Sequence, residues 1–250
     1  MGARPHQPLD ARTAVALAAL AIGLGALGAL GIGSGDFAFQ WQPVPPDVPA
    51  RGTLAIAAGV LEVVAAAMLA LRRLRAAGAW LAAALLLAWT ALHVPAVVQR
   101  PASIADWLGV AESAAMASAA LMFAADGAIR RACTLVFGLA AIVFGASHFA
   151  YADFTASMIP TWLPQRVPLA YFTGAAHALA GIAIATGVRR VLAASLEALM
   201  MAAFVVLVHV PRVLAHPDSR MEWTMLAVAL TLSGSAAMVA AVSRRHAGGR

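Results

Sequence analysis

The sequence predicts an all-α polytopic membrane protein of about eight transmembrane helices, organised as a tandem duplication of a four-helix bundle. Three observations predict it. First, 62% of the 250 residues are hydrophobic and only 11% are charged, with a mean hydropathy of +0.84; a soluble domain carries roughly 25% charged residues. Second, uncharged apolar runs recur along the chain, each near the roughly 20 residues that a bilayer-crossing helix needs. Third, a set of short motifs occurs twice in the same order.

The apolar runs lie at 13–35, 53–71, 77–98, 107–125, 132–150, 168–187, 191–213 and 222–243. Inside a bilayer the backbone must satisfy its own hydrogen bonds, so runs of this length are helices. Alanine dominates them, with Gly23, Gly28, Gly31 and Gly35 in the first, and small residues let helices approach closely in lipid. Arg4 and Arg12 precede the first run as in a signal peptide, but its apolar core is long for one.

The first run also has a counterpart in mid-chain. Residues 33–38 (GSGDFA) match 145–150 (GASHFA), and 48–55 (VPARGTLA) match 163–170 (LPQRVPLA). Gly59 then corresponds to Gly174, and Glu62 to His177. Further on, 93–101 (HVPAVVQRP) match 209–217 (HVPRVLAHP), and Asp106-Trp107 match Glu222-Trp223. The offset between the copies drifts only within loops. The boundary falls between residues 127 and 128, giving units 1–127 and 128–250. Each unit has an even number of helices, so the two share one orientation as parallel repeats.

The turns after the second, fourth and sixth helices hold Arg72, Arg73, Arg75, Arg130, Arg131, Arg189 and Arg190. With Arg4, Arg12, Arg244, Arg245 and Arg250 at the ends, one side carries 12 of the 17 arginines. The positive-inside rule places that side, and both termini, in the cytoplasm. The opposite loops are rich in proline, which stiffens extended chain. Trp41, Trp107, Trp162 and Trp223 are expected at headgroup level as an aromatic belt.

The net charge of +6 is written in these turns, as membrane topology is, and not in a nucleic-acid-binding patch. A single cysteine, Cys133, allows no intramolecular disulfide and no CxxC redox pair. No phosphate loop, nucleophile elbow or dinucleotide fingerprint occurs.

Ionisable side chains inside a membrane are functional candidates by default. In the first unit Asp36 ends helix one, Glu62 lies about two turns into helix two, and His93 closes helix three. His148, His177 and His209 hold the same positions in the second unit, and Glu112 adds a carboxylate in helix four. Three readings stand. The groups form interhelical hydrogen bonds, such as Glu62 to His93. Alternatively, His148, His177 and His209 converge on a metal or haem, since imidazole suits zinc, copper and iron. In the third, the groups line a polar pocket for a quinone head group, a small lipophile or a proton, with histidine titration as the useful property. Glu197, two turns from Arg190, reads as a capping or snorkelling carboxylate. His6, His216 and His246 read as solvated. Pro95 and Pro211 mark where helices three and seven end or kink.

The helix ending in GASHF (145–149), the outer-loop IPTWLP (159–164), Gly174 three residues before His177, and His209-Val210-Pro211 together resemble the DoxX-like family of integral membrane proteins. The likeness is good over 130–243 and weaker over 13–125, so the chain resembles two fused DoxX-like units. Many members carry Glu where His177 stands; Glu62 keeps that pattern and His177 departs from it. The resemblance implies four-helix units in a bacterial plasma (inner) membrane. Some relatives are subunits of thiosulfate:quinone oxidoreductase, and others are associated with oxidative-stress or thiol-redox complexes. The expectation is therefore an accessory subunit that is not an enzyme by itself and contacts the bilayer and a redox partner protein. A quinone or other lipophile is expected near Asp36, Glu62, His93, Glu112, His148, His177 and His209. The alternatives are a small-molecule or proton-coupled transporter, and a histidine-ligated metal or haem protein.

Overall fold

A computed structural model describes residues 9–247, with side chains as far as Arg244. Arg4, His6 and Arg250, and the side chains of Arg245 and His246, lie outside the described residues. The long helices are α1 (Ala11–Ser34), α2 (Arg51–Ala70), α3 (Arg75–Gln99), α4 (Ile104–Ala124), α5 (Gly127–Ala150), α7 (Arg166–Thr186) and α10 (Arg220–Ala247). A short α6 (Ala152–Met158) follows α5. The seventh span is continuous but composite: α8 (Arg190–Phe204), a π-helical segment (Val205–His209) and α9 (Val210–Ala215). Among the described residues eight helices are long and apolar enough to cross a membrane, matching the eight runs in the sequence. The protein is an all-α polytopic membrane protein.

Local chemistry sets the helix ends. Asp10 caps α1 by accepting from the Thr13 amide at 3.0 Å, and Ser103 caps α4 by accepting from the Asp106 amide. Such caps satisfy amides that have no partner inside the helix. Gly35 closes α1 in the left-handed conformation, at φ 61°.

Each long helix packs on its neighbour in sequence, α1 on α2, α2 on α3, α3 on α4, α4 on α5, α5 on α7, α7 on α8 and α8 on α10. Helix α10 then packs along α1 and also crosses α4. The halves therefore interlock: α1 runs along the last helix of the chain, and α5 along the last helix of the first half. Helices α4 and α10 are the most buried spans, while the α8–α9 span is the least buried. Glycines make the closest crossings. A Cβ at Gly28 would lie 2.5 Å from the Gly59 carbonyl oxygen, and one at Gly145 would lie 2.6 Å from that of Gly174. Backbones this close require residues without side chains.

Several contacts recur at the spacing read in the sequence. The Trp107 indole donates to the Pro101 carbonyl (2.9 Å), and Trp223 donates to that of Pro217 (2.8 Å). The matched acids Asp106 and Glu222 are both paired, but by arginines at unmatched positions, Arg100 and Arg212. Arg75 donates to the Leu69 carbonyl and Arg190 to that of Ile184. Ala50 and Gln165, the residues just before α2 and α7, both adopt positive φ.

Two expectations are corrected. Helix α3 does not end at His93; it runs through Pro95 to Gln99, because neighbouring helices and local adjustment support a proline within a span. At Pro211 the adjustment is visible as the π segment just before it, a widened turn that relieves the clash of the ring with the preceding turn. Trp41 does not stand exposed as an aromatic-belt residue would; it is buried in the bundle. The α1–α2 loop folds into the bundle, burying Phe37, Ala38, Trp41 and Gln42. Arg51 and Arg220 hold it there: both pair with Asp36, at 2.7 and 3.8 Å, and Arg220 also donates to the carbonyls of Asp36 and Phe37. The α5–α7 connection carries α6 instead, and its Trp162 is 66% exposed.

Candidate functional site

Two polar clusters lie within the spans, one in each half. In the first, Glu62 of α2 is buried, and its Oε1 accepts from the Gln42 amide at 2.6 Å and the Trp89 indole at 3.0 Å. Gln42 is itself fixed, because its Oε1 accepts from the Ala38 amide at 2.8 Å. Glu112 of α4 accepts from the Trp41 indole at 2.8 Å. The folded-in loop thus supplies one donor to each carboxylate, Glu62 buried and Glu112 half-buried. Among the described residues neither carboxylate meets an arginine.

His93 is not the partner of Glu62, as the hydrogen-bonding reading had it. Its ring lies against Gly109 of α4, where any side chain would collide with it, and its Nε2 is buried without a hydrogen-bond partner. Asp36 lies beyond the end of α1, half-exposed in the ion pairs with Arg51 and Arg220, and so stands outside the cluster.

The second cluster is built on α5, α7 and α8. His177, roughly half-way along α7, meets Glu197 of α8 through its Nδ1 at 2.6 Å from Oε1. Both residues are buried, Glu197 to 1% exposure. The capping role expected for Glu197 is therefore wrong, because its side chain points inward across the helix interface and not along its own helix to the headgroups. Its Oε2 is buried and unpartnered.

His148 of α5 lies beside His177 with ring centroids 5.0 Å apart, and Phe204 of α8 packs on both rings. The Nδ1 of His148 is 2.9 Å from the Thr173 hydroxyl, which also lies 3.0 Å from the carbonyls of Leu169 and Ala170. That hydroxyl has one proton, given to its own helix, so it accepts from His148 Nδ1–H. The Nε2 of His148 is then left as an acceptor.

His209 keeps different company. It lies in the π segment, its Nδ1 is buried and unpartnered, and its charged neighbours are Glu222 and Arg212. Among the described residues no three His, Cys, Asp or Glu side chains come together as metal ligands. The structure thus joins His148 to His177 and leaves His209 out of that pair. Sequence reasoning missed Glu197, Gln42 and Trp89. For Glu197 the available signal was its position seven residues into an apolar span, where an unpaired carboxylate is costly.

The two halves differ in access. The first cluster is stoppered by Trp41 and Gln42, whereas in the second His148 and Phe204 are only half-buried. They lie beside an apolar surface of the seventh span, where Leu196 and Leu199 of α8 and Val206 of the π segment are exposed.

A family model described as a domain of unknown function (DUF8561) matches residues 137–210, a stretch that holds His148, His177, Glu197 and His209. No curated protein and no solved structure matches the chain.

Proposed function

We propose that this is a DoxX-like membrane protein that holds the polar head group of a quinone-type lipophile at the His148–His177–Glu197 cluster, as a non-catalytic accessory subunit of a redox system. The observation that carries this reading is a buried His–carboxylate pair beside a second imidazole, half-open to the lipid. The Nε2 of His148 accepts from a hydroxyl such as that of a quinol, Phe204 offers a ring to stack on, and the unpartnered Glu197 oxygen takes a further donor. A ligand of this kind arrives from the bilayer, and the exposed face of α8 borders its route. The stopper of the first half supports the same view, because an indole and an amide there occupy the carboxylates from within. Contacts recurring at the sequence offset support a duplicated unit, and the arginine-rich side, with both termini, faces the cytoplasm.

Titrating the purified protein with a short-chain quinol will show saturable binding. His148→Ala and Glu197→Gln will weaken it at least tenfold, and Glu62→Gln in the stoppered half will leave it within twofold. No binding, or equal binding by all variants, rejects the reading.

Glu62 and Glu112 favour a second reading, proton-coupled transport, since buried carboxylates without a cation partner are what a proton path uses. Uptake into proteoliposomes under a pH gradient, abolished by Glu62→Gln, is the outcome that would replace the first reading with this one.

A further inference from the structure

Away from both polar clusters, a cavity of about 630 Å³ opens at the arginine-rich end of the second half. Three separate elements line it: Arg130 and Arg131 from the start of α5, Arg189 and Arg190 from the α7–α8 turn, and Arg244 from the end of α10, with Ser195 on one wall. Two of the guanidinium groups are anchored. Arg130 pairs with Asp126 at 2.6 Å and donates to the Met122 carbonyl, and Arg190 donates to the carbonyl of Ile184. Among the described residues Arg131, Arg189 and Arg244 meet no carboxylate, and no carboxylate lines the cavity. Four guanidinium groups without a carboxylate partner around one hollow repel each other unless an anion joins them.

We infer that this cavity binds a phosphate-bearing anion, the head group of an anionic phospholipid. Guanidinium matches phosphate oxygens in paired hydrogen bonds, and basic hollows at the ends of spanning helices are where such head groups are held. The position argues for the lipid as source. The cavity lies where α5, α7, α8 and α10 begin or end, at headgroup depth, and its walls include Leu192 as well as arginine. The corresponding corner of the first half lacks the construction. Its α2–α3 turn carries Arg72, Arg73 and Arg75, but α1 brings only Arg12, and α4 leads into Asp126.

The test uses the full chain in neutral detergent, with lipid binding followed by native mass spectrometry. The probes are phosphatidylglycerol, diphosphatidylglycerol, phosphatidylcholine and soluble glycerol 3-phosphate. Both anionic lipids are expected to bind at least tenfold more tightly than phosphatidylcholine, and more weakly as salt is raised. Arg131→Gln with Arg244→Gln should remove that preference, while Arg72→Gln with Arg73→Gln should leave it within twofold. A preference unchanged in the first pair, lost equally in both pairs, or absent from the unaltered protein overturns the site. The salt series on the unaltered protein decides the matter even if the first pair misfolds, since salt-independent binding also overturns it. Glycerol 3-phosphate binding as tightly as the lipids would overturn the lipid as source and assign a soluble phosphate ester.

Discussion

Replacing His177 by leucine will destabilise the protein more than replacing His177 and Glu197 together. The single change leaves Glu197 with both carboxylate oxygens buried and no partner, since its Oε2 already has none. Removing one member of a buried pair costs on the order of 3 kcal/mol, because the survivor keeps its desolvation penalty and loses the contact that offset it. Replacing both by leucine removes the penalty and keeps much of the packing against Phe144 and Phe204. Thermal unfolding in detergent is the measurement. The single variant is expected to melt roughly 10 °C lower, and the double variant to recover at least half of that. Equal melting temperatures for the two variants would show that the pair is not coupled.

The second large effect is expected at Gly28. Its missing side chain lets α1 meet α2 backbone to backbone: an added Cβ would lie 2.5 Å from the Gly59 carbonyl oxygen and 2.9 Å from the Glu62 Cβ. None of the first of these atoms can rotate away, so leucine there must separate the helices. Glu62 lies one turn beyond Gly59, and separation would pull it from Gln42 and Trp89. Gly28→Leu is expected to lower the yield of monodisperse protein at least tenfold in size-exclusion chromatography, and Gly145→Leu to do the same at its own crossing with Gly174. Gly33→Leu on the same helix is the control, because an added Cβ there meets nothing within 4 Å. A normal yield of Gly28→Leu would mean that the crossing tolerates a wider spacing.

The spans were legible in the sequence because length and apolarity alone decide whether a helix crosses a bilayer. Their partners were not. Which faces meet depends on a few glycines among many alanines, and Gly33 looks no different in sequence from Gly28. Of the site, the positions of Glu62, Glu112, His148 and His177 could be read as buried ionisable groups. Their bonds could not: Glu62 takes its donors from Gln42 and Trp89, one of them on a loop whose composition says outer surface. Trp41 was assigned to the headgroups because tryptophan usually sits there, and no local signal distinguishes an indole folded inward to Glu112 from one left outside, as Trp162 is. Glu197 was discounted for its nearness to Arg190 in sequence, although a carboxylate seven residues along a helix lies roughly 10 Å deeper along the axis.

The pairing of α1 with α10 also sets an order of events during synthesis. Gly23 lies against Thr231 and Ala227, and Gly234 against Leu20 and Ala16, so the face of the first helix that is finally covered waits for the last. At translation rates of about 5–20 residues per second, the ribosome takes roughly 10–40 s to pass from the end of α1 to the start of α10. Through that interval the small-residue face of α1 stands open in the bilayer, free to be met by lipid, by an insertion chaperone or by the same face of another nascent chain.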